Sequence, residues 1–130
     1  MSLSSVENRA ISAAFCALKD HHYVSSIDVL LGMGILSSKD LEDWRFGRIP
    51  YLEKVVDSNL KKISVAMKAF RVWSLNQGLY PSETVYRRWG KGCKHDLRFS
   101  KSGNPKIEKA YRIHYISTKL KNAKLEKSGN

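Results

Sequence analysis

Apolar residues recur in a helical rhythm as far as about residue 77 and in an alternating one beyond it. Ser4-x-x-Glu7 reads as a capping box, whose two side chains satisfy the first free backbone N–H groups of a helix. Ile11, Ala14, Phe15 and Leu18 follow at helical spacing and predict one apolar stripe reaching about Asp20. A second helix is expected from Ser25 or Ser26 through Ile27, Leu30 and Leu31, broken by Gly32 and Gly34. A third follows a Ser37-Ser38 cap, turns Leu41, Trp44 and Phe46 inward, and closes at Gly47. Residues 1–47 therefore read as a cluster of short helices.

Residues 50–77 carry the most regular pattern. Leu52, Val55, Val56, Leu60, Ile63, Met67, Phe70 and Trp73 repeat every three or four positions. Pro50 suits a first helical turn, and Gly78 and Pro81 end the pattern. The expectation is one long amphipathic helix of about 40 Å, the spine against which the shorter helices pack.

Beyond it the rhythm changes. Thr84–Trp89 and Cys93–Ser100 flank the turn Gly90-Lys91-Gly92, which predicts a β-hairpin over 83–100. Asn104-Pro105 offers a cap and first turn for a short helix over 105–113, with Ile107, Ala110 and Tyr111 inward. Residues 119–130 read as a disordered basic tail. The expected fold class is mainly α (α+β): a compact helical domain in residues 1–118, built on one long helix, with a small C-terminal hairpin and a short final helix.

Composition adds bounds. At 130 residues and 42% hydrophobic, the chain suits one domain with a proper core. No apolar run approaches the roughly 20 residues that span a bilayer, so no membrane is expected. The N-terminus lacks the basic and apolar regions of a secretory signal. Two distant cysteines, Cys16 and Cys93, suggest buried or free thiols in a reducing compartment. These features together predict a cytoplasmic protein.

Charge changes the picture most. The net charge is +11, and it is lopsided. Residues 1–60 hold 6 Lys/Arg against 8 Asp/Glu, and residues 61–130 hold 17 against 4, giving −2 and +13. A basic half of this kind predicts a polyanionic partner, with nucleic acid, DNA or RNA, first and an acidic protein second. The expected phosphate contacts are Arg87, Arg88, Lys91, Lys94, Arg98, Lys101 and Lys106, extended by Lys61, Lys62, Lys68 and Arg71. Tyr86 and Trp89 are candidates for stacking on unpaired bases, worth about 1–3 kcal/mol per base. A second reading makes the chain an interaction module or regulatory subunit that docks through its N-terminal helices, with Trp44, Phe46 and Tyr51 as the contact surface.

Other chemistries fit less well. The second and third helices resemble a helix-turn-helix in spacing, but the third carries Asp40, Glu42 and Asp43, which phosphates repel. His95-Asp96-Leu97-Arg98 resembles the His-x-x-Arg box of tyrosine recombinases. The helix ending Trp73-Ser74-Leu75-Asn76-Gln77-Gly78-Leu79 resembles the last helix of their core-binding domains. The chain departs from that family because the available tyrosines, Tyr111 and Tyr115, follow Arg98 too closely and no length remains for a full catalytic domain. Glu53 and Asp57 sit among lysines, as in a surface ion-pair cluster. Cys93, His95, His114 and the His21-His22 pair lack paired zinc-ligand spacing. No Walker loop or nucleophile elbow is present. The sequence thus predicts no enzyme, no cofactor and no metal.

Overall fold

The computed structural model describes residues 3–117. Along the chain run α1 (Leu3–His21), β1 (Tyr23–Val24), α2 (Ser26–Gly32), α3 (Ser38–Arg45), a 3-10 turn (Leu52–Val55), α4 (Leu60–Asn76), β2 (Tyr80–Glu83), α5 (Pro105–Arg112) and β3 (Ile113–Ile116). The result is a mainly helical α+β fold. The expected tail, 119–130, lies outside the described residues.

α1 is present, but its buried face is rotated from the expected one. Val6, Ala10, Ala13, Ala14 and Ala17 are buried, whereas Phe15 is 56% exposed. Close helix packing selects the small residues. A Cβ added to Gly32 of α2 would stand only 2.6 Å from the Ala13 Cβ, so no bulky side chain fits between these helices. Ser4 lies inside α1 rather than capping it. The capping box occurs one helix later, where Ser25 Oγ accepts from Asp28 N at 3.1 Å and Asp28 Oδ2 accepts from Ser25 N at 2.9 Å. α3 starts as expected, with Ser37 Oγ accepting from Asp40 N at 3.1 Å.

The single long helix over 50–77 is not formed. The chain instead makes the 3-10 turn at Leu52–Val55, leaves it through an extended Val56, and restarts α4 at an Asn59 cap. Two physical reasons account for the break. Asn59 Oδ1 accepts from Lys62 N at 2.9 Å, a local bond that competes with a continuous helix. The N–H groups of Leu52 and Glu53 donate outward, to Arg98 O at 3.1 Å and Phe99 O at 2.9 Å. The apolar rhythm is kept across the break, since Leu52, Val56, Ile63 and Phe70 are all buried.

The expected hairpin over 83–100 is replaced by an irregular loop spanning 84–104. It keeps a remnant of pairing, an isolated Arg87–Asp96 bridge flanked by Leu97 N donating to Tyr86 O at 2.7 Å. The regular sheet lies elsewhere. β3 is its centre, paired antiparallel with β1 (Val24 opposite Tyr115) and with β2 (Ser82 opposite His114). β2 is an edge and holds Pro81, which has no N–H to give a neighbour. α5 starts as expected, with Asn104 Oδ1 accepting from Lys106 N at 2.9 Å and Pro105 in the first turn. Of the three residues expected inward only Tyr111 is buried; Ile107 and Ala110 are exposed, and the buried Glu108 takes the inward place beside Tyr111.

Two buried clusters form the core. One joins the alanine face of α1 with Val29, Met33, Ala66, Phe70 and Tyr115. The other joins Leu30, Trp44, Leu52, Ile63, Phe99 and Tyr111. Ile35 and Met67 pack against both. Among the described residues, no helix is long and apolar enough to cross a membrane.

Candidate nucleic-acid interface

The 84–104 loop is irregular in backbone yet firmly held. Leu97 and Phe99 are core residues, and Trp44 Nε1 donates to Arg98 O at 2.8 Å. Two glutamates fasten the segment that follows. Glu108 of α5, itself buried, accepts from Phe99 N at 2.8 Å, from Ser100 N at 2.7 Å and from the Ser100 hydroxyl. Glu53 accepts from Lys101 N at 2.9 Å and from the Tyr111 hydroxyl at 2.7 Å. Burial first, then that bond and the charges of Glu53 and Glu108, raise the Tyr111 hydroxyl well above its ordinary value. Glu53 thus serves the loop rather than a surface ion-pair cluster with Asp57 and the lysines.

The loop's cations then divide by task. Arg98 is spent internally: Nε donates to Ser100 O at 2.7 Å, Nη2 donates to Lys101 O, and the guanidinium lies 5.6 Å from the Tyr51 ring centroid. Arg88 is also structural, donating to Lys91 O at 2.9 Å and lying beside Gly47. Gly47 adopts φ 74°, where a Cβ would be strained and 3.0 Å from the Arg88 Cδ. Lys94 Nζ donates to Gly90 O. Arg87 faces Asp96 at 3.6 Å with both side chains about 70% exposed, a pair too solvated to neutralise either strongly. Arg87, Lys91 and Lys94 therefore present charge to solvent at the loop tip.

The aromatic candidates are mostly occupied. Tyr86 is enclosed by Trp44, Phe99 and His114, and its hydroxyl lies 2.7 Å from His114 Nε2. Burial pushes that hydroxyl up to about 12. Tyr86 is half-buried among these rings with the Arg45 guanidinium 5.1 Å from its centroid, so it is not the free, exposed ring expected for base stacking. Trp89 is 46% exposed, with the Arg45 guanidinium 4.3 Å from its centroid and Phe46 at its edge. Burial holds that Arg45 guanidinium below its ordinary value.

The expected docking surface is not formed either. Trp44 is fully buried, its ring packed against Phe99. Phe46 is half-buried between Trp89 and Arg48, and Tyr51 is half-buried under Arg98. On α3, Arg48 first and then Lys39 bond Asp43 and hold its carboxyl below the usual range, so part of that helix's acidity is already paired.

A second cationic group surrounds a groove of about 950 Å³ between α4, α5 and the end of the loop. Its floor includes Ile63, Met67, Phe70, Tyr111 and Ile113, and Lys68, Arg71, Lys101 and Lys106 stand round it. Four of the cations expected from sequence are thereby brought together. Lys62 lies apart, beside Arg9, Met33 and Asn59, and Lys61 is exposed on α4. Sequence reading missed Glu53 and Glu108 as the fastenings of the loop. The available signal was the lone carboxylate at 108 among the cations of residues 101–112.

The remaining chemical candidates do not converge. His95 and Asp96 are exposed, Arg98 is bound to backbone, and Tyr111 and Tyr115 are buried, so the recombinase-like box faces no tyrosine nucleophile. Among the described residues, no group of three or more His, Cys, Asp and Glu side chains is placed to hold a metal. Cys16 and Cys93 are free and exposed, not buried. The class defined by this geometry is a mainly helical α+β domain carrying a pinned basic loop and a cation-rimmed apolar groove. Compared with known proteins, the chain matches no family model, no curated protein and no solved structure.

Proposed function

We propose that this chain is a non-catalytic nucleic-acid-binding protein that meets phosphates with its basic loop and the α5 surface next to it. The observation that carries the reading is the loop itself. Residues 84–104 hold six Lys/Arg against the single carboxylate Asp96. The loop's C-terminal part, residues 98–101, is pinned through Glu53, Glu108 and Trp44, and nearer the tip Trp89 N donates to Arg45 O at 2.7 Å. A pinned loop loses less conformational entropy on binding than a free one. Arg87, Lys91 and Lys94 at the tip make the first contacts, while Lys101, Lys106, Lys61, Lys68 and Arg71 extend the positive surface. Arg88 and Arg98 shape the loop more than they touch the ligand.

Fluorescence anisotropy with labelled single- and double-stranded DNA and RNA tests this, from about 50 to 200 mM salt. Saturable binding is expected on at least one of the four. If about six phosphates on duplex DNA are neutralised, the logarithmic salt slope is near −5. Binding should fall at least about tenfold in an Arg87→Glu, Lys91→Glu, Lys94→Glu variant. No binding to any of the four at low salt, with the fold intact by circular dichroism, rejects the proposal.

A further inference from the structure

The groove between α4 and α5 has a composition that phosphate binding does not explain. Its surface is predominantly apolar, and two of its residues expose large aliphatic side chains, Leu60 at 59% and Ile107 at 42%. A phosphate track has no use for either. Exposed apolar surface gathered in one concave place marks a binding site more often than it marks chance. Lys68 and Arg71 come from α4, while Lys101 and Lys106 come from the loop and α5. Among the described residues, none of these four side chains has a carboxylate partner.

The length of the groove narrows the occupant. Leu60, Ile63, Ser64, Met67, Lys68 and Arg71 line it at successive helical turns of α4. That run covers about 16 Å, or about three turns. A helix of similar length laid along it meets apolar side chains and four cations, against the single lining carboxylate Glu53, which is already bonded to Lys101 N and the Tyr111 hydroxyl. The chain's own residues 118–130 suit this place poorly, since they carry Lys119, Lys121, Lys124 and Lys127 against Glu126. A second copy brings a net charge of +11 towards the same positive rim.

We infer that the groove docks an acidic amphipathic helix of a partner protein, apolar stripe down and carboxylates towards Lys68, Arg71, Lys101 and Lys106. Helix-in-groove recognition of this kind reads apolar anchors at i, i+3, i+4 and i+7. The cations add orientation and on-rate more than raw affinity. The inference shares Lys68, Arg71, Lys101 and Lys106 with the nucleic-acid reading, and is distinguished from it by the apolar floor and the exposed Leu60 and Ile107, which that reading does not use.

The test uses the full chain and a labelled designed peptide with Leu at i, i+3, i+4 and i+7 and Glu at the positions beside them. A scrambled peptide and a labelled oligothymidylate serve as comparisons. Expected is saturable binding of the designed peptide, weakened at least about tenfold both by Lys68→Glu with Lys106→Glu and by Leu60→Ser with Ile107→Ser. The two aliphatic positions are exposed, so their replacement leaves the core untouched. The Arg87→Glu, Lys91→Glu, Lys94→Glu variant should keep peptide binding, which separates a failure here from a failure of the nucleic-acid proposal. The inference is overturned by no binding, by equal binding of the scrambled peptide, or by indifference to Leu60→Ser with Ile107→Ser. Displacement of the peptide by oligothymidylate overturns it in favour of nucleic acid. Dimerisation abolished by the same aliphatic pair overturns it in favour of self-association.

Discussion

Glu108 holds Ser100 twice, its carboxylate accepting from the serine's backbone N–H at 2.7 Å and from its hydroxyl. The same carboxylate takes Phe99 N at 2.8 Å, so one buried anion satisfies three donors at the base of a cationic loop. Glu108→Gln keeps the shape but supplies only one acceptor oxygen, turning an NH₂ towards a donor. It should cost about 1–3 kcal/mol, read from the midpoint of urea unfolding. Faster hydrogen exchange at Phe99 and Ser100 should accompany the loss. A variant as stable as the parent would show that the carboxylate is not what fastens the loop.

Packing between α1 and α2 tolerates no added carbon. Gly32→Ala would place a Cβ 2.6 Å from the Ala13 Cβ, and both are backbone-fixed atoms. The expected cost is about 1–3 kcal/mol. Combining it with Ala13→Gly should recover part of that loss despite the helix propensity sacrificed, giving a coupling in a double-mutant cycle. Additive effects would place the clash elsewhere.

Alkaline stability should depend on Tyr86. In the folded chain burial raises its hydroxyl from 10.0 to about 12. Between those values the unfolded chain has released a proton that the folded chain keeps, so folding loses ground as pH rises. The contribution is whole below about pH 10 and declines through the folded value of about 12. Tyr111 shifts in the same direction. Tyr86→Phe should be less stable near neutrality, because the bond to His114 is lost, yet show a shallower decline above about pH 10. Urea midpoints across that range measure it, and parallel curves for the two proteins would rule the assignment out.

Neighbouring arginines should behave differently. Arg87 is largely solvated, so Arg87→Ala should change stability by less than about 0.5 kcal/mol. Arg88 ties Lys91 O and lies against Gly47, and Arg88→Ala should cost about 1 kcal/mol. Equal unfolding midpoints for the two variants would contradict this division of labour.

Much of the helical framework was legible in the sequence. Ser25, Ser37 and Asn104 announce their helices through local hydrogen bonds, which depend on a few consecutive residues. The failures arise where distant partners decide. The periodicity of 50–77 survives a break because Leu52 in the 3-10 turn and Val56 just after it still reach the core, while the N–H groups of Leu52 and Glu53 are claimed by residues 98 and 99. Phe15 looked like core by spacing, but the proximity of another helix favoured alanine. The cations of the basic half were readable as a charge excess. Their division into a loop tip and a groove rim was not, because it depends on how α4, α5 and the loop meet. Trp44 was read both as an inward residue of α3 and as part of a docking surface, and the first reading holds: an aromatic on a short helix is core or anchor according to what covers it, here Phe99 and Tyr86.

The sheet is closed to growth on both sides. One margin, β1, is two residues long, and the other, β2, contains a proline at the position opposite Tyr115. Among the described residues, the first margin is too short and the second is interrupted by Pro81, features that blunt templating of another strand. Association through the main chain, the route by which small sheets polymerise, is therefore disfavoured. What the sheet leaves exposed to a neighbour is a short strand on one margin and a proline-bearing strand on the other.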